Sequence, residues 1–117
     1  MASQTSYASI VIATDDDLST AVDCRGLIPL GIQCPATITS ASITFKASAL
    51  DSAHPDVPFT TYGSLYNKNG EVSYAVAANR FIALDPADFA GVASFKIATA
   101  SGEAANRKFA VIMRHDA

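Results

Sequence analysis

The chain has 117 residues, which is room for one domain and no second; a chain of that length buries roughly 65% of its unfolded surface, enough for a modest core. Half of it is hydrophobic, only 16% is charged and the net charge is −3, so with its eight Lys and Arg scattered it offers no basic cluster to a nucleic-acid backbone. No stretch approaches the roughly 18 apolar residues of a membrane span, and the start MASQTSYASIVIA lacks the basic run and cleavage site of a secretory signal, which predicts a protein made in the cytoplasm and bound to neither nucleic acid nor membrane.

Residues 1–6 are polar and predict an N-terminal arm ahead of a single domain spanning 7–117. The dominant period that follows is two. A first strand is expected over 7–13, closed by the turn Thr14-Asp15-Asp16-Asp17, and a second over 18–23. After a turn at Arg25-Gly26 comes a strand over 27–33, where Pro29 demands an edge or a bulge. Cys24 shares parity with Leu18, Thr20 and Val22, and Cys34 with Ile28, Leu30 and Ile32. Both are therefore expected on apolar faces as free, buried thiols. A disulfide across the gap, or a catalytic or metal-ligating thiol, is the alternative, but no CxxC pair occurs.

Over 42–49 the set Ile43, Phe45, Ala47 and Ala49 alternates strictly with Ser42, Thr44, Lys46 and Ser48. A long loop over 50–58, stiffened by Pro55 and Pro58, interrupts the pattern. Strands resume at 60–66 and, past the Asn67-Lys68-Asn69-Gly70 turn, at 71–77 with Val72, Tyr74 and Val76 inward. Further strands are expected at 80–84, at 92–99 with Phe95 and Ile97 inward, and at 108–114 with Phe109, Val111 and Met113 on one face. About eight or nine short strands with regular turn signals predict an all-β, antiparallel, jelly-roll-like sandwich.

The stretch RFIALDPADFAGV, residues 80–92, brings two carboxylates close together. Asp85 suits an N-cap, Pro86 the first helical position and Asp88 the third, so a short helical turn near 85–90 is expected. Phe89 and Val92 would then point into the core, and Gly91 would let the chain leave. A calcium site would need further ligands, such as Asp15, Asp16 and Asp17, without any EF-hand spacing. Acid–base glycosidase work would need two carboxyls facing across a cleft.

No GxSxG elbow and no phosphate loop occurs. His54 and His115 read as exposed polar residues, with His115 a candidate anchor for a C-terminal arm. Of the four tyrosines, Tyr62 and Tyr66 are the candidates for stacking on a sugar.

Several blocks follow in a fixed order: Ser19-Thr-Ala-Val-Asp-Cys-Arg-Gly26, Leu30-Gly-Ile-Gln-Cys-Pro35, Ile43-Thr-Phe-Lys-Ala-Ser48, Leu65-Tyr66 with Asn69-Gly70, Arg80 to Gly91, Phe95-Lys-Ile97 and Phe109 to Arg114. The series resembles small virion structural proteins of tailed bacteriophages and prophages, jelly-roll-like sandwiches encoded among head and tail genes. It spans Leu18 to Arg114, and Arg80 to Gly91 is its most specific part. There are departures: the 50–58 loop stands where such proteins make a short Ser-x-Asp-Gly hairpin, and Cys24 and Cys34 stand where larger apolar residues are usual.

The resemblance implies a non-enzymatic virion protein, a capsid decoration or cement protein that binds the major capsid protein and sits beside copies of itself, as a homo-oligomer, on the shell. It implies no catalytic residue, cofactor or metal. The expected contacts are the arm (Ala2, Ser3, Gln4, Thr5, Ser6), the loop (His54, Pro55, Asp56, Val57, Pro58) and the C-terminal Arg114 and His115. The alternative is a sandwich on the tail or head surface that binds host glycans.

Overall fold

The structure, a computed structural model, describes residues 5–48 and 62–115. Two antiparallel sheets pack face to face. One has the order β1 (Thr5–Ile12), β11 (Arg107–His115), β3 (Leu27–Gln33), β9 (Phe81–Ala83). The other runs β2 (Val22–Asp23), β10 (Ser94–Thr99), β4 (Ser42–Ser48), with β5 (Gly63–Ser64) and β8 (Ser73–Ala75) both pairing with β4. A small hairpin, β6 (Tyr66–Asn67) and β7 (Gly70–Glu71), stands apart. The expected jelly-roll-like, all-β class is the one observed.

Alternation positions the core. Ala8, Val111, Ile32 and Ile82 face one another in one row across the first sheet, and Ile10 opposes Phe109 in the next. Ile43 and Phe45 of β4 and Phe95 and Ile97 of β10 supply the opposite wall, all fully buried. On the inner side of the second sheet, Phe45 meets Tyr74, Phe89 and Phe95 edge-on, with centroids 6.0, 5.2 and 5.8 Å away. Such contacts add to what area burial alone gives.

The corner at Asp85 is built as its sequence predicts. Pro86–Phe89 forms a single 3-10 turn, and the Asp85 carboxylate accepts a hydrogen bond from the Ala87 N–H at 3.1 Å. Phe89 is buried beneath it and Gly91 leaves with φ +83°. The Asp85 N–H donates to the Tyr74 hydroxyl at 3.1 Å. Asp88 accepts from Asn67 at 3.1 Å. The Asp85 carboxylate caps the corner, and the Asp85 N–H and the Asp88 carboxylate stitch it to its neighbours.

Pro29 sits at a bulge. The β3–β11 register shifts between Ile112 and Met113, which skips Leu30 and turns Pro29 inward. The shift also changes the expected parity: Pro29 and Ile32 are buried, while Ile28 and Leu30 are half-buried. Both cysteines are free and buried, as expected.

Three expectations need correction. The strand over 18–23 is only Val22–Asp23 plus a bridge from Leu18 to Ala98. The chain there crosses between sheets: the Ser19 hydroxyl accepts from the Ile97 N–H of the second sheet, while the Thr20 N–H donates to the Val11 carbonyl of the first. The expected strands over 60–66, from Tyr62 on, and over 71–77 break into short pieces, which raises the count among the described residues to eleven. Lastly, Thr5 and Ser6 are not an arm. β1 starts at Thr5, because Thr5 pairs with Arg114 and Ser6 with Met113.

Candidate functional site

The antiparallel pairing of β1, β11 and β3 gathers four of the sequence-predicted contact residues at one end of the first sheet. Thr5 lies opposite Arg114, and the Ser6 hydroxyl and His115 Nε2 are 3.0 Å apart, joining the first strand to the last. His115 thus anchors a strand end where an arm was expected. Arg114 is exposed and has no ion-pair partner among the described residues. On the other side, Arg114 and His115 oppose Ile28 and Leu27. Ala2, Ser3 and Gln4, and the loop residues His54, Pro55, Asp56, Val57 and Pro58, lie outside the described residues.

Leu27 and Ile28 also form one wall of a cleft of 630 Å³ whose other wall is the 3-10 turn, with Phe89, Gly91 and Val92. Strand register therefore makes the Thr5–Arg114 end and this apolar cleft one continuous surface. Sequence reasoning missed the cleft, since it is assembled from segments about sixty residues apart.

The chemistry at the cleft is quiet. Burial pushes the Cys24 thiol up to about 11, and it donates to the Val92 carbonyl at 3.2 Å. A thiol so placed is a small hydrophobe, not a nucleophile at neutral pH. Burial likewise raises Cys34. Beside the cleft, Arg25 forks onto Asp23 at 3.1 and 2.8 Å and holds its carboxyl below the usual range. Among the described residues, no three His, Cys, Asp or Glu side chains converge as metal ligands.

The two tyrosines proposed for sugar stacking part company. Tyr62 donates to or accepts from the Ser94 hydroxyl at 2.8 Å, and Lys96 Nζ covers its ring at 4.7 Å. Its face is taken. Tyr66 is 65% exposed and borders a cleft of 580 Å³ with Asn67 and Asp88.

At the opposite end of β11, about 27 Å from His115 for eight residue steps, lies a group that sequence reasoning passed over. Glu103 is fully buried. It accepts from the Thr39 N–H, the Ser40 N–H, the Ser40 hydroxyl and Arg107 Nε, at 2.9, 3.0, 2.6 and 2.9 Å. Arg107 also donates to the hydroxyls of Thr37 and Thr39. Burial acts to raise the Glu103 pKa, but the bonds from Ser40, Thr39 and Arg107 outweigh it and hold the carboxyl below its ordinary value. The cluster ties residues 37–40 to residues 103–107 at this end of the sandwich.

No family model matches the chain, and no curated protein matches its sequence. Among solved structures, the fold is similar to that of the SPBc2 prophage-derived protein YomS. The TM-score is 0.56 at 16% identity, over 97% of each chain. Weaker alignments reach a Bacillus endospore appendage (TM-score 0.39, 11% identity, 98% of this chain and 90% of that one) and the cyanophage Pam1 capsid asymmetric unit (0.31, 18%, 97% and 84%). Those two do not establish a common fold.

Proposed function

We propose that this chain is a non-enzymatic structural protein of a phage virion, a decoration protein that binds the outer surface of the capsid and links neighbouring major capsid subunits. The observation that carries this reading is the likeness of fold, over nearly the whole of both chains, to a prophage-derived protein. The ordered sequence blocks between Leu18 and Arg114 point the same way.

Its action is mechanical. A protein that binds the assembled shell but not separated subunits stabilises the assembly by mass action. The contacts are drawn from Ala2, Ser3, Gln4, the loop from His54 to Pro58, and the end carrying Thr5, Ser6, Arg114 and His115. The cleft beside Leu27 and Ile28 extends that end with apolar surface. The low charge density suits a broad interface in which few residues are decisive.

The test is co-sedimentation of the purified protein with undecorated capsids. Saturation at a copy number set by the lattice, with a higher shell-melting temperature, is the expected result; Arg114→Glu should weaken it about tenfold or more, since it reverses an exposed cation that has no ion-pair partner among the described residues. Absence of binding to shells would overturn the reading. Tyr66, with Asn67 and Asp88 beside it, is the one observation favouring glycan recognition, and a glycan screen of Tyr66→Ala against the parent chain is its test.

A further inference from the structure

The edge of the first sheet is open where β1 lies, and its geometry fits one partner in particular. In an antiparallel ladder the N–H and C=O of a residue point to the same side, and the side alternates along the strand. The N–H of Val11 donates to the Thr20 hydroxyl at 3.2 Å and its C=O accepts from the Thr20 N–H at 3.1 Å, both on the side away from β11. Ser9, Tyr7 and Thr5 therefore also turn their backbone groups outward. Nothing among the described residues pairs with those groups, and all three residues are exposed, Tyr7 to 74%.

Edge strands are normally blunted by charge, proline or a bulge. The strand TSYASIVI has no charged residue, no proline and no glycine, and its register with β11 runs without a shift from Thr5 to Ile12. Thr20 closes one end of it. What is left is a free edge of three outward positions, symmetric about Tyr7.

We propose that this edge pairs with the same edge of a second copy, antiparallel about a two-fold axis through Tyr7. Tyr7 then faces Tyr7 of the second copy, and Thr5 faces Ser9. The two four-stranded sheets join into one of eight strands. This register pairs every outward group of both strands; a slip of two residues in either direction strands some of them. It brings no like charges together, and the Tyr–Tyr and Thr–Ser pairs are favourable cross-strand neighbours. The inference does not depend on the capsid reading.

Sedimentation equilibrium of the full chain across a concentration series is the test, with two variants. Tyr7→Pro removes an outward N–H and leaves the β1–β11 bonds, which belong to the even-numbered residues. The parent chain should approach twice its own mass, and Tyr7→Pro should remain at one chain mass with an unchanged far-ultraviolet spectrum. Tyr7→Cys gives a second readout that does not rely on proline. Facing residues of a hydrogen-bonded pair have Cα atoms about 5.5 Å apart, within disulfide reach. Tyr7→Cys should therefore cross-link in oxidised glutathione at least tenfold faster than Ser9→Cys, whose copies lie about 14 Å apart in this register. A parent chain at one chain mass throughout, or equal cross-linking of the two variants, overturns the proposal. Pairing with a foreign strand alone would show the first of those results.

Discussion

Glu103 and Arg107 form a buried ion pair in which every visible oxygen of the carboxylate is used. Removing Arg107 leaves the charge buried with its cationic partner gone, a change that costs about 3–5 kcal/mol. Arg107→Ala should thus lower the urea midpoint with an unchanged slope. The pH dependence has a definite sign. The native pKa of Glu103 lies below its unfolded value of about 4.3. Between the two, the unfolded chain holds a proton that the native state does not, so stability rises with pH. The contribution is complete above the unfolded value and is lost as the pH falls through the native one. Thermal melts of Glu103→Gln should show a weaker acid dependence than the parent. Nothing local marks this pair in the sequence beyond an acid four residues before an arginine. Its other partners, Thr39 and Ser40, are more than sixty residues away, and only the closed fold brings them in.

Elements were legible to the degree that their signals are local. β11 alternates along its buried length, and β4 and β10 do so until their last residues, where Ser48 is buried in place of the expected Ala47 and Ala98 and Thr99 are buried beside Ile97; each strand buries the large residues the sequence marks out, Ile43 and Phe45, Phe95 and Ile97, and Phe109, Val111 and Met113. The corner at Asp85 was legible for the same reason, since cap, proline and exit glycine are neighbours. Asp85→Ala removes the side-chain acceptor of the Ala87 N–H and should cost about 1 kcal/mol. Gly91→Ala meets no neighbouring atom, yet it forces φ +83° on a residue with a Cβ and should cost about 1–2 kcal/mol. Chemical denaturation of both variants checks the pair; a neutral result for Gly91→Ala would mean that the turn relaxes to another conformation. The segment 18–23 was not legible. Its alternation suggests a strand, but Ser19 and Thr20 each spend hydrogen bonds on a different sheet. Of the end proposed for contacts, Arg114 and His115 are visible in the sequence as the close of an alternating strand, whereas the neighbouring cleft is assembled from β3 and the 3-10 turn, about sixty residues apart.

At the scale of the molecule, one core spans both sheets, and the two cysteines report on different parts of its rim. Cys24 follows β2 of the second sheet and is bonded to Val92, whereas Cys34 follows β3 of the first, its N–H donating to the Arg80 carbonyl beside β9. Both thiols are nearly solvent-free, at 2% and 3% exposure, and burial raises the pKa of each. Neither can meet a thiol reagent without an opening of the packing around it. If the sheets separate only when the whole domain unfolds, as a single-core domain of this size should, both thiols are labelled at the same rate, and that rate follows the global unfolding free energy through a urea series. If one sheet edge opens on its own, Cys34 or Cys24 reacts first and its rate is flat at low urea, where local fluctuation dominates. The crossing of residues 18–23, which hydrogen-bonds to both sheets, favours the first outcome. Mass-resolved alkylation of the native chain, scored separately for Cys24 and Cys34, decides it. Unequal rates would mean that the sandwich is two loosely coupled sheets, so that a partner able to hold them together would stabilise the protein.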